Sequence, residues 1–252
     1  ISFTIKFNKK TNITYSKHNN NDALSFNKII KKKKEYISIT LKVANRIGYT
    51  GENSHKLIKL LFDSNLLSKI NFQDANNVIF LTHTRWATVG DVNLDNCHPL
   101  ISRKEKNVEY FLMNGDIINY NSFKKSNNLD SVKNKCSNDL SILPNIFSSK
   151  KIAKLKGSFV LVHYSYKNPD SLTIYKKGSQ GLYVTTDNDN NPICASDVYG
   201  LVNRSDKFNI VHDKSKFKLE NLLKNRKILR FNTYRSNNLS TRDLNKKGFD
   251  SY

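Results

Sequence analysis

Most of the residues in this chain that could do chemistry fall in one string, Thr82-His83-Thr84-Arg85-Trp86-Ala87-Thr88-Val89-Gly90, followed closely by Asn96-Cys97-His98-Pro99. The apolar run Val78 to Leu81 reads as a short strand leading straight into it. The end of that strand presents Arg, Trp and Thr side by side. An arginine there can clamp a carboxylate with two parallel hydrogen bonds, and a neighbouring tryptophan can wall off water. As an isolated pair, Arg85 and Trp86 read more simply as a surface ion-pair partner and a core aromatic. Other residues also have plain readings. Asn114-Gly115 is a turn signal, Asp139 is a good helix N-cap, and His98 before Pro99 fills a loop. The three cysteines, Cys97, Cys136 and Cys194, match no zinc spacing, and their odd count argues against a disulfide framework. A reducing cytoplasm is the expected compartment, with no metal and no cofactor.

The elements that must position these residues follow from periodicity. Ile1 to Phe7 alternate apolar and polar, as a half-buried strand does. Asn8 to Asn12 reads as a turn and Asn19 to Asp22 as an Asn-rich loop, whereas Asn27 to Ile39 is basic and fits no template. Helical spacing of Leu57, Ile58, Leu60, Leu61 and Leu66 predicts a helix over Ser54 to Leu67. A strand over Glu109 to Met113 ends at Asn114-Gly115, and Ser137, Asn138 and Asp139 can cap a helix running toward Phe147. After Gly157 come FVLVHYSY, SLTIYKK, GLYVTT, PICAS, FNIVHD and KILRFNTY, short β-rich runs punctuated by Gly, Asn, Asp or Pro. Such punctuation marks antiparallel sheet. Many antiparallel strands with two or three helices make an α+β architecture.

Bulk composition sets the outer limits. The chain has 252 residues, 38% hydrophobic and 11% aromatic, enough for a packed core. No run approaches the roughly 18 apolar residues of a membrane helix, and ISFTIKF is not a signal peptide. The net charge of +21, from 42 Lys+Arg against 21 Asp+Glu, raises nucleic-acid binding as an option. Lys and Asn are scattered through every segment, however, which reads as compositional bias. No nucleic-acid-binding signature accompanies the charge, so neither nucleic acid nor a membrane is an expected partner.

The whole string weighs against the plain readings. HTRWAT followed by Asn-x-His-Pro resembles the glutamine-binding strand and loop of class II (N-terminal-nucleophile, Ntn) glutamine amidotransferases, above all the glucosamine-6-phosphate synthase branch. Further matches come in order. Phe111-Leu112-Met113-Asn114-Gly115-Asp116-Ile117 resembles the family's H-N-G-I strand end. Asn138 to Leu143 stands where the family has an S/T-D-T/S-E-V-I helix start. Lys177-Gly178-Ser179-Gln180 and Ala195-Ser196-Asp197 resemble its R-x-G-S-x and A-S-D/E segments, and Lys227 to Phe231 its closing strand. The resemblance implies an Ntn-hydrolase-like four-layer αββα sandwich of two mainly antiparallel sheets over 1–235, with an insertion at 19–77 and a polar linker at 236–252. It implies hydrolysis of glutamine to glutamate and passage of ammonia to a sugar-phosphate acceptor. Arg85 would bind the α-carboxylate and Asp139 the α-ammonium. Trp86, Thr88 and His98 would line the substrate pocket. The Asn114 side-chain amide and the Gly115 backbone N–H would form the oxyanion hole. The implied partners are L-glutamine and C-terminal sugar-isomerase domains, and a homodimer is compatible with this reading.

The main departure concerns the nucleophile. The family attacks with the thiol of its first residue, using that residue's own α-amine as base; residue one here is Ile1. Cys97 lies beside His98 but is internal, Cys136 precedes Asp139, and Cys194 sits in a strand of the second sheet. ISFTIKF resembles the family's second strand, so the chain is expected to be a piece lacking the first strand and helix. The alternatives are a catalytically dead glutamine-binding or assembly domain, and a glutaminase domain serving another acceptor. Val89, Met113, Leu140 and Ser141 also depart from the family pattern.

Overall fold

The computed structural model describes residues 2–7, 24–31, 34–44, 49, 51–63, 68, 70, 75–85, 91–104, 107–129, 136–147, 150–169, 171–186, 192–197, 201, 207–210, 216–220 and 238–240. The chain folds as two compact units, Ile1–Leu112 with Asp130–Pro144, and Met113–Leu129 with Asn145–Tyr252.

The first unit is built on β1 (Ser2–Phe7), β2 (Leu24–Lys31), β3 (Lys34–Leu41) and β4 (Ala75–Leu81). They form an antiparallel sheet in the order β2-β3-β1-β4. The stretch that fits no template on sequence holds most of β2 and β3. β3 is buried on both faces, with Tyr36, Ser38 and Thr40 on one and Ile37, Ile39 and Leu41 on the other. Ile37-Ser38-Ile39-Thr40-Leu41 alternates apolar and polar, a strand period that the adjoining basic run Lys31 to Lys34 obscured. Glu35, also buried, is held by Lys28 across the hairpin at 2.9 Å.

Helix α1 (Glu52–Asp63) starts before the expected Ser54, and the last expected residues, 64–67, lie outside the described residues. Glu52 favours the positive end of the helix dipole and pairs with Lys56 one turn on. Strand β5 (Leu100–Lys104) pairs with the first part of β6 (Asn107–Ile117), from Leu100↔Phe111 to Lys104↔Asn107. A hydrogen bond between the Ser38 and Tyr110 hydroxyls ties β3 to that hairpin. A 3-10 turn, Asp139–Ile142, leads into the single-turn α3 (Leu143–Ile146); α2 (Tyr120–Ser126) precedes both in the chain.

The second unit carries the end of β6 and the punctuated runs expected as strands: β7 (Gly157–Ser165), β8 (Ser171–Lys177), β9 (Tyr183–Thr186), β10 (Pro192–Ala195) and β11 (Lys207–Ile210). With β12 (Lys216–Glu220) they give one strand order β12-β8-β7-β6, and another, β10-β9-β11-β13, in which β13 is Asn238–Ser240. Every pairing resolved among them is antiparallel. The KILRFNTY run lies outside the described residues. Residues 238–240, expected within a linker, instead pair with β11. Val160, Ile174, Leu182 and Val184 form a core to which Val162, Leu172 and Cys194 add. The class is α+β with mainly antiparallel sheets, as expected. No helix among the described residues is long and apolar enough to cross a membrane.

Candidate active site

In the first unit, β4 delivers the chain to His83 and Arg85, both half-buried. Trp86 and Thr88 lie outside the described residues. His98 is buried, its Nδ1 3.1 Å from Nε2 of His83, with ring centroids 4.0 Å apart. The loop carrying His98 is organised by Asn96, which is fully buried and uses both ends of its amide. Its Nδ2 donates to the Asp91 carbonyl at 2.9 Å and to Ser137 Oγ at 2.8 Å, and its Oδ1 accepts from Ser137 N at 2.8 Å. Its backbone N–H donates to Asn93 Oδ1 at 2.9 Å, and its carbonyl accepts from Asn138 Nδ2 at 3.2 Å. A buried amide satisfied in this way rigidifies what it joins, here the His98 loop and the residues just before Asp139. Asn96 entered the sequence reading only as a letter of a motif, because side-chain bonds to a segment 41 residues away leave no local signal.

Asp139 is buried, and it is not the helix cap. Asn138 holds that position with extended backbone (φ −90°, ψ 176°), its Oδ1 accepting from Leu140 N at 3.1 Å. The Asp139 carboxylate is therefore not committed to the cap. It shares an electrostatic neighbourhood with Arg85. Burial pushes the Cys136 thiol up, while Asn138, Lys42 and Arg85 pull it down and Asp139 pushes it further up. Cys97 is likewise raised by burial and lowered by Lys42 and Arg85. Lys42, whose Nζ donates to the Leu94 carbonyl at 3.2 Å, is lowered by its own burial against the pull of both thiols. A guanidinium and a buried carboxylate thus act on the same thiol. The thiols themselves are poor nucleophiles, since burial disfavours the reactive thiolate.

Cys194 is the extreme case, its packing against the second unit's core pushing the thiol up to about 12. In the native protein it should be the last of the three cysteines to react with iodoacetamide at pH 8. Its rate should rise about tenfold per pH unit toward that value as the thiolate fraction grows. Peptide mass spectrometry after timed labelling checks this; labelling as fast as a free thiol would contradict the burial.

In the second unit, Asn114 and Gly115 do not end their strand. β6 runs on to Ile117, with Gly115 at φ +101°. A Cβ at Gly115 would lie 2.1 Å from the Ser158 carbonyl oxygen and 2.9 Å from Phe159 Cα, so the two backbones approach as only glycine permits. The Lys177-Gly178-Ser179-Gln180 segment packs at the same place. Gly178, at φ +78°, lies against Ser158, whose Oγ accepts from Gln180 N at 3.0 Å and sits 3.1 Å from Ser179 Oγ. Asn114 Nδ2 donates to Gln180 Oε1 at 3.4 Å. Two motifs far apart in sequence thus meet within the unit.

The sequence profile of the glutamine amidotransferase domain matches residues 70–236, more than half of the chain. The chain belongs to the glutamine amidotransferase domain family. It is 29% identical over 205 residues to the glutamine–fructose-6-phosphate aminotransferase (isomerizing) of Clostridium acetobutylicum, covering 72% of this chain and 33% of that one. The protein of the same name from Shouchella clausii is 27% identical over 162 residues, covering 59% and 26%. This amidotransferase chain therefore spans about a third or less of the length of these curated relatives. Among solved structures, the allosteric regulatory enzyme of purine biosynthesis aligns with a TM-score of 0.49 at 16% identity, covering 87% of this chain and 42% of that one. The string around Arg85 and the Asn114-Gly115 segment, which suggested the family, both lie inside the matched stretch.

Proposed function

We propose that this amidotransferase domain binds L-glutamine and hydrolyses it to glutamate, the ammonia passing to a sugar phosphate as in glucosamine-6-phosphate synthesis. The names of the curated relatives, which join glutamine to fructose 6-phosphate, support the choice of acceptor. In this reading Arg85 clamps the α-carboxylate, Asp139 holds the α-ammonium, and His98 lines the pocket with Trp86 and Thr88. Asn114 Nδ2 and the Gly115 N–H stabilise the tetrahedral oxyanion, a contribution worth several kcal/mol of barrier, on the order of 3 per donor. The observation that carries the reading is the buried carboxylate of Asp139, which acts together with the Arg85 guanidinium on the same Cys136 thiol. C-terminal sugar-isomerase domains, and a second copy of the chain, are the partners that fit it. Its compartment is the reducing cytoplasm, in keeping with three unbridged cysteines.

A second reading is a domain that binds glutamine without hydrolysing it. Burial raises Cys97, Cys136 and Cys194, so these three thiols are poor nucleophiles, and such a domain would use the same pocket. The experiment is glutamate release from glutamine by the product of the whole reading frame, with calorimetric glutamine binding in parallel. Release that rises with fructose 6-phosphate supports the proposal. Release indifferent to fructose 6-phosphate assigns another acceptor, and binding without release establishes the second reading. Neither binding nor release would overturn both.

A further inference from the structure

We infer that Gln180 is a positioning residue for the oxyanion hole: its side-chain carbonyl holds one N–H of the Asn114 amide and thereby aims the other at the reacting carbonyl. The inference rests on the reading of Asn114 as an oxyanion donor. A primary amide carries two N–H donors on one side and an oxygen on the other, and a half-turn exchanges them. Such a turn at Asn114 would set a carbonyl oxygen where negative charge develops, turning a stabilising group into a repulsive one. Something must therefore hold the nitrogen end inward. In this unit that group is Gln180 Oε1, 3.4 Å from Asn114 Nδ2. The distance is long for a hydrogen bond.

The placement of Gln180 is itself constrained. Its backbone N–H is fastened to Ser158 Oγ at 3.0 Å, Gly178 at φ +78° turns the chain tightly against the same serine, and the absence of a Cβ at Gly115 leaves room for Gln180 Cγ. An alanine methyl at Gly115 would lie 2.7 Å from that carbon. The glycine whose N–H is the second proposed donor thus also admits the side chain that orients the first.

The test uses substitutions that keep the size of the side chain. Gln180→Met removes the acceptor, whereas Gln180→Glu retains acceptors only and so can hold Asn114 in one orientation alone. In 1H–15N spectra of the labelled chain, the Asn114 amide pair is assigned by its disappearance in Asn114→Ser. Its two protons should move toward the shifts of a free amide in Gln180→Met and keep their separation in Gln180→Glu. An Asn114 pair unmoved by Gln180→Met would overturn the inference whether or not the protein turns over glutamine. In glutamate release by the product of the whole reading frame, Asn114→Ser should lower kcat by about a hundredfold or more, and Gln180→Met by about tenfold with KM within about twofold. If Asn114→Ser is severe and Gln180→Met is silent, the positioning role fails while the oxyanion reading stands. If Asn114→Ser is itself silent, the oxyanion reading fails and the role of Gln180 falls with it.

Discussion

Gly115→Ala should destabilise the protein by about 4 kcal/mol, adding conformational strain at positive φ to overpacking against a neighbouring strand. The φ of +101° is one that L side chains rarely adopt, and the added methyl would lie 2.1 Å from the Ser158 carbonyl oxygen. That oxygen and Phe159 Cα belong to the backbone of β7 and cannot swing aside as the Gln180 side chain can. A loss of this size is a large part of the 5–15 kcal/mol, roughly, that holds a typical domain together. Gly51 provides the control, since its φ is +90° but a Cβ there meets nothing within 4 Å. Gly51→Ala should therefore show the conformational cost alone, about 1 kcal/mol. Urea denaturation of the two variants separates strain from collision, and equal midpoints would show that the close approach of β6 and β7 is not there. Activity should fall further than stability, because relieving the collision moves the N–H proposed to face the oxyanion.

That close approach also shows where sequence reading stops. Asn-Gly is a turn signal because glycine reaches positive φ at no steric cost. In this chain the same freedom serves contact between strands, and β6 continues past the pair to Ile117. A single sequence does not distinguish the two uses, since the neighbour that demands the glycine, Ser158, is 43 positions away by sequence number, 158 − 115. Asp139 is the converse case. Its type and position fit a helix cap, but Asn138 beside it takes the cap, and only the backbone angles decide between them. The strands after Gly157 were legible because turn residues punctuate them, whereas β3 was not, because the basic run Lys31 to Lys34 leads into it and obscures the alternation of Ile37 to Leu41. The family was legible in the ordered motifs. The network centred on Asn96 was not, since every bond in it depends on which loops the fold brings together.

Arg85→Leu should weaken glutamine binding by on the order of a hundredfold, the equivalent of about 3 kcal/mol for removing one partner of a charge-assisted pair. The expected effect is large because a carboxylate left in a half-buried site loses its water along with its partner. Arg85→Lys is the informative companion. It restores the charge without the flat fork that holds two oxygens at once, and should recover only part of the affinity. Calorimetry with glutamine measures both. A second readout asks whether Arg85 lies where its charge implies, independently of any ligand. The guanidinium lowers the Cys136 and Cys97 thiols, which burial has already raised. Removing the positive charge should raise both further, so alkylation of these two cysteines at a fixed alkaline pH should slow in Arg85→Leu and recover in Arg85→Lys. Slowed alkylation with glutamine affinity unchanged would place Arg85 beside the thiols yet deny it the substrate carboxylate, moving the clamp to another cation, with Lys42 the nearest candidate by its coupling to the same two thiols. Unchanged alkylation would mean that Arg85 does not face this pocket at all, and the pairing of its charge with Asp139 around one amino acid would have to be abandoned.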